Sequence, residues 1–123
     1  MTRADGSVHS SVVNAGPMAH PVTGEEVFAL VARGAARKVG LVGEAGRVSI
    51  TFRRGWQWAG IEGPAEIIDG ATVPDGVELP ALLRQIFTAA GGTHDDWDEF
   101  DRVMADEGRV AILVQPQRII GNG

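Results

Sequence analysis

Three cations fall within six positions of the segment "ARGAARKVG" (residues 32–40): Arg33, Arg37 and Lys38. An arginine fork can hold two phosphate oxygens, a lysine ammonium adds a compact charge, and the free amides of a helix start add further donors. Gly34, Ala35 and Ala36 carry almost no side chain, so an anion could come close to the backbone there. That is phosphate chemistry. The same residues also suit a solvated helix end whose charges serve only solubility, and spacing alone leaves both readings open. The background makes the cluster conspicuous: 16 acidic side chains outnumber 11 basic ones, the net charge is −5, and Lys38 is the only lysine.

Other chemistry is thinly represented. His9, His20 and His94 are too scattered for a metal-ligand spacing such as H-E-x-x-H, and they read as surface or turn residues. With no cysteine there is no thiol nucleophile, thiolate metal site or disulfide, and no G-x-S-x-G elbow occurs. The run "HDDWDEFD" lacks the glycine and the closing glutamate of an EF-hand loop. Acids at a helix start, favoured by the helix dipole, explain it more simply. Trp56 and Trp58, two apart, are expected on one face of a strand, either packing a hairpin or walling a cofactor cleft. Arg53 and Arg54 beside them read as a solvated hairpin end. No acid–base catalytic set emerges.

A chain of 123 residues, 44% hydrophobic and 22% charged, is expected to form one domain around a modest core. Its negative balance argues against nucleic acid as partner, since phosphodiester binding wants a broad basic face. No apolar run approaches the roughly 20 residues needed to span a bilayer, and "MTRADGSVHS" has no apolar secretion signal. A cytoplasmic protein without membrane insertion is the expectation.

The elements that must position the cations follow from pattern. "DGSVHSSVVNAG" (5–16) reads as a strand ended by Asn14-Ala15-Gly16-Pro17, and "VFALVA" (27–32) as a buried strand. A short helix is expected within residues 33–46, weakened by Gly34, Gly40 and Gly43. "RVSITFRRG" alternates, with Val48, Ile50 and Phe52 on one face, and "WQWAGIEGPAEIID" returns as its hairpin partner. Gly63-Pro64 predicts a bulge or bend there. After a loop at 69–76, two helices are predicted, the first carrying Leu79, Leu82, Leu83, Ile86 and Phe87, the second Trp97, Phe100, Val103 and Met104. "RVAILVQPQRIIG" closes the chain as a strand, with Val110, Ile112 and Val114 on one face and Pro116 ending its regular part. Antiparallel strands dominate, which predicts a mainly β fold: a small, partly closed barrel with helices on its outside.

"RGAARK", "RVSITFRRGWQWAGIEGPAEI" and "HDDWDEFDRVMADEGRVAILVQPQRIIG" taken together resemble the pyridoxamine-5′-phosphate-oxidase-like split barrels. Within these the chain is most similar to the actinobacterial flavin/deazaflavin oxidoreductases that use coenzyme F420, over nearly its whole length. The resemblance implies a six-stranded antiparallel split β-barrel with peripheral helices that forms a homodimer, with cofactor sites at the subunit interface. It implies that Arg33, Arg37 and Lys38, with Gly34, bind the cofactor's phosphate. "HSSVVNAG" resembles the strand lining the flat ring system, which implicates Ser11, Val12, Val13 and Asn14. The implied activity is hydride transfer between the deazaflavin and a small organic acceptor, with the protein binding, orienting and excluding water. FMN is the alternative cofactor, and a non-catalytic carrier of F420 or flavin is the alternative role, ahead of a heme- or lipid-binding relative and a ligand-free dimer. Relatives begin with an amphipathic helix before a phrase like "TRADG", so the family's N-terminal helix is expected to be absent here.

Overall fold

The computed structural model describes residues 13–34, 39–40, 42 and 46–122. Among these residues six strands form one antiparallel sheet: β1 (Ala15–Ala19), β2 (Glu26–Arg33), β3 (Arg47–Arg54), β4 (Gln57–Ile68), β5 (Arg109–Val114) and β6 (Arg118–Gly121). Two helices lie between β4 and β5: α1 (Leu79–Ala89) and α2 (Trp97–Asp106). The strand order is β1-β2-β5-β4-β3, with β6 also pairing β4. The path ends at β1 and β3, which do not pair with each other among the described residues. No helix among those residues is long and apolar enough to cross a membrane.

Residues of β2 and β5 alternate between two cores, because successive side chains of a strand point to opposite faces. Val27, Ala29, Ala111 and Leu113 join Leu82, Leu83 and Ile86 of α1 and Phe100 of α2. Leu30, Ala32, Ile112 and Val114 instead join Val42, Val48 and Ile50. Strand β3 is not a neighbour of β2 or β5 in the sheet, yet it packs against them, so the sheet folds over on itself. Both faces of β5 are therefore buried, beyond the single face of Val110, Ile112 and Val114 expected from the sequence.

The fold-over is made by β4. Its first part pairs with β3, from Gln57↔Arg54 to Pro64↔Arg47, and its last four residues pair with β5, from Ala65↔Val114 to Ile68↔Ala111. The change of partner falls at the predicted Gly63-Pro64 bend. Here the Gln115 amide donates to the Pro64 carbonyl at 2.9 Å. A Cβ on Gly63 would lie 1.7 Å from the Gln115 carbonyl oxygen, so only glycine permits this crossing.

Three expectations need correction. The first strand is β1 at Ala15–Ala19, starting where the sequence suggested a break; residues 5–12 of the expected strand lie outside the described residues. Among the described residues β1 pairs with β2 alone, and an edge position of this kind tolerates Pro17. Gly16 is required by packing, since a Cβ there would lie 2.1 Å from the Ala89 carbonyl oxygen at the end of α1. Secondly, the chain after Pro116 is a separate strand, β6, antiparallel to β4. Thirdly, Gly55 and Trp56 form the two-residue turn of the β3–β4 hairpin, so Trp56 does not share a strand face with Trp58. The short helix expected after β2 is seen as helical Val39, Gly40 and Val42; the rest of that segment is outside the described residues.

The helix pair is locked by charge and ring packing. Asp96 caps α2 by accepting from the Glu99 amide at 3.1 Å, as the acidic start predicted. Arg84 of α1 grips Asp101 of α2 with both forks, Nε to Oδ1 at 2.8 Å and Nη2 to Oδ2. Its guanidinium also lies 5.5 Å from the centre of the Trp97 ring. The grip keeps the Asp101 carboxyl below the usual carboxylate range.

Candidate functional site

The last residue of β2 and the first of β5 are register partners, which places Arg33 opposite Arg109. Two cations facing each other across an antiparallel pair repel. The compensating charge is Glu107, in the turn that leads from α2 into β5. Its Oε2 accepts from Arg109 Nε at 2.8 Å and Nη2 at 2.7 Å, and lies 3.6 Å from Arg33 Nε. The hydrogen bonds from Arg109, with both arginine charges close by, hold the Glu107 carboxyl below its ordinary range despite the opposing effect of burial.

The turn itself is tied to β2. Gly34 donates its amide to the Gly108 carbonyl at 2.8 Å, extending the ladder one residue past Arg33. Gly108 sits at φ +61, a left-handed geometry that suits glycine at a helix C-terminus. Arg109 and Glu107 are thereby held in the surface with about three-tenths of each side chain exposed, whereas the Arg33 side chain is 62% exposed. Two guanidinium groups and one carboxylate leave one net positive charge, presented to water mainly by Arg33.

The sequence-derived site residues distribute unevenly around this cluster. Arg33 and Gly34 form part of it, although the Gly34 amide is already committed to Gly108 and is not a donor for a ligand. Ser11, Val12, Arg37 and Lys38 lie outside the described residues. Their neighbours Val13 and Val39 are both packed against the core that contains Val48 and Ile50. Asn14 is exposed immediately before β1.

Trp56 and Trp58 lie at the hairpin end of β4, Trp56 in the turn and Trp58 in the strand, whereas Ile68 at the other end of β4 pairs with Ala111, two residues from Arg109. The intervening strand is about 30 Å of chain at the usual rise per residue. Trp56 is 90% exposed and packs no hairpin core. Trp58, Ile119 and Ile120 are exposed nearby, the two isoleucines at 64% and 48%. Asn122 binds this end together: its Oδ1 accepts from the Trp58 amide and its Nδ2 donates to the Trp56 carbonyl, each at 2.8 Å.

Glu107 and Arg109 are the residues that sequence reading missed. Their signal was the "EGR" turn closing α2, but its meaning depends on the β2–β5 register. A cavity of about 280 Å³ beside them is lined by Leu79, Leu83, Met104 and Val110, with Asp69 and Arg109 among its polar groups. A second, of about 200 Å³, is lined by His20, Glu66 and Gln115 among others. The His20 Nδ1 accepts from the Val22 and Thr23 amides and its Nε2 lies 2.8 Å from Glu66, so it organises the β1–β2 turn, as expected for a turn histidine. His94 instead packs among Phe87, Trp97 and Phe100. No group of three or more metal-ligating side chains occurs among the described residues.

No protein-family model matches the chain. The fold is similar to that of a conserved hypothetical protein from Mycobacterium tuberculosis, at 18% identity and a TM-score of 0.57, covering 98% of this chain and 88% of that one. It is also similar to a protein of unknown function from Agrobacterium tumefaciens, at 14% identity and a TM-score of 0.56, covering 89% of this chain and 50% of that one. At such identities the likeness is one of fold.

Proposed function

We propose that the chain is an oxidoreductase of the deazaflavin branch of the split-barrel family, transferring a hydride between coenzyme F420 and a small organic acceptor. The observation that carries this reading is the meeting of Arg33 and Arg109 over a single carboxylate, at the point where the chain enters the segment of Arg37 and Lys38. An anionic tether fits there: the cluster has excess positive charge, its most exposed member is a bidentate donor, and the whole chain is otherwise acidic. Arg33, Arg37 and Lys38 would hold the phosphate, and Ser11, Val12, Val13 and Asn14 would border the ring system. The bound cofactor supplies hydride chemistry; the protein's residues bind, orient and exclude water.

The two cavities seen among the described residues, of about 280 and 200 Å³, fall below the ≈ 300–1,000 Å³ typical of ligand pockets, and neither encloses a tricyclic ring. In this reading the sheet closes as a six-stranded split barrel, two copies associate, and the ring lies between them. Packing of β3 against β2 and β5 supports the closure. Exposed Trp58, Ile119 and Ile120 offer apolar surface for the association.

The test is equilibrium binding of the purified protein to F420 and, separately, to FMN. F420 binding that weakens at least tenfold in the Arg33→Ala and Arg37→Ala/Lys38→Ala variants is expected. Tight FMN binding without F420 binding would replace the cofactor. Reoxidation of reduced F420 by a panel of quinones, tetrapyrroles and nitro compounds is expected above background; none with any acceptor would make the protein a carrier.

A further inference from the structure

We infer that Glu107 is a resident counter-ion that competes with a bound phosphate for Arg33 and thereby sets the anion affinity of the cluster. The inference rests on the reading of Arg33 as an anion-binding residue and adds a positioning residue acting through it. Three features of the geometry carry it.

Glu107 is fixed independently of Arg33. Its amide donates to the Val103 carbonyl at 2.9 Å, closing α2, and its carboxylate takes both donors from Arg109. The carboxylate therefore keeps its place whichever way Arg33 turns. Secondly, the Arg33–Glu107 contact is loose. At 3.6 Å it is a charge contact longer than a good hydrogen bond, made by a side chain that is mostly in water. Arg33 can leave it by side-chain rotation alone, while its backbone stays anchored by the Arg33↔Arg109 pairing and the Gly34–Gly108 bond. Thirdly, the balance of charge is local. Without Glu107 the two register-paired guanidinium groups would repel, so the carboxylate stabilises the empty cluster and opposes an arriving anion.

An exposed ion pair contributes at most about 1 kcal/mol, which corresponds to about a fivefold change in a binding constant. Removing the Glu107 charge should therefore tighten phosphate binding about two- to fivefold. Removing Arg109 should weaken it, because among the described residues Glu107 then has Arg33 as its remaining partner. If that weakening acts through Glu107, the double variant should recover the loss.

The experiment follows the side-chain Nε–H resonance of Arg33 by NMR during titration of the full chain with inorganic phosphate at constant ionic strength. Wild type, Glu107→Gln, Arg109→Met and the double variant are compared. The expected order of affinity is Glu107→Gln above wild type above Arg109→Met, with the double variant restored to at least wild type. Glu107→Gln binding no more tightly than wild type, or a double variant as weak as Arg109→Met, overturns the inference. A second readout needs no variant: saturating phosphate should raise the titration midpoint of the Glu107 carboxyl in the wild-type chain by drawing Arg33 away. A midpoint unmoved by phosphate also overturns it. Phosphate that perturbs Arg33 in this order while neither F420 nor FMN binds would remove the oxidoreductase reading and leave the counter-ion standing. No phosphate response at Arg33 would remove the counter-ion, whatever the cofactor titrations give.

Discussion

The two faces of β2 and β5 are covered by different means. On one face α1 and α2 close completely over the sheet: Val27, Ala29, Leu82, Leu83, Ile86, Phe100, Ala111 and Leu113 are each at most 5% exposed. On the other face the cover is Val42 together with β3, which belongs to the leaf of β3, β4 and β6. The leaf buries Val48, Ile50 and Ile61 but leaves Trp58, Ile119 and Ile120 in solvent. A helix can bury an apolar stripe and keep its other side polar, whereas a strand at a sheet edge exposes whatever the opposite face and the free edge carry. The helical side is thus a closed core, whereas the leaf carries exposed apolar side chains. The candidate anion cluster sits at the end of the strands these two regions share.

Substitutions should separate the two regions. Ile86→Ala, at 1% exposure under the helices, should cost about 3 kcal/mol in urea unfolding, whereas Ile120→Ala should cost under 1 kcal/mol. Equal costs would erase the distinction. Gly63→Ala should destabilise by about 1–3 kcal/mol, because its methyl meets the Gln115 carbonyl. The accompanying rise in amide exchange should be greater in β3 and β6 than in α1; a uniform rise would place the bend in the common core.

Among the described residues the lowered carboxyls lie on the helical side and in its closing turn. Asp69 has its carboxyl lowered by the Ala71 and Thr72 amides, Asp101 by Arg84, and Glu107 by Arg109. A carboxyl depressed by folding stabilises above its unfolded pKa, and that contribution disappears as pH falls through the lower, folded value. The melting temperature should hold from neutrality to about pH 4 and decline below it, and Asp101→Asn should flatten that decline. A decline of unchanged steepness in the variant would assign it to other groups. Smallest of all should be Trp56→Ser, within about 0.5 kcal/mol of wild type in stability. Trp58→Ser with Ile120→Ser should instead show up in sedimentation, as weaker self-association. A wild-type chain that remains monomeric at all concentrations would deny the leaf its proposed partner.

Much of this was legible before folding. The hairpin showed itself in the alternation of Val48, Ile50 and Phe52; both helices showed themselves in apolar spacing, and α2 also in its acidic start. What escaped depended on neighbours. The segment "RIIG" is four residues after a proline, too short for any periodicity, and becomes β6 only because β4 offers it an edge. Asn14, Gly16 and Pro17 looked like a break because local rules cannot see the Ala89 carbonyl that demands Gly16. In the candidate site Arg33 was visible as part of a charge cluster. Glu107 and Arg109 were not, since their relation to Arg33 is set by strand register. The tryptophans were read as strand neighbours, and the two-residue turn parted them.

Strand β4 acts as a shared ruler. Ile61 is measured against β3 and β6 while Ile67 and Ile68 are measured against β5, all on one unbroken backbone. An inserted residue near Gly60 could not be absorbed by slippage on one side alone: it would put one stretch of the strand inside out or shift its glycine away from Gln115. Loops at either end can lengthen, but the count of residues between Gln57 and Ile68 is part of the architecture.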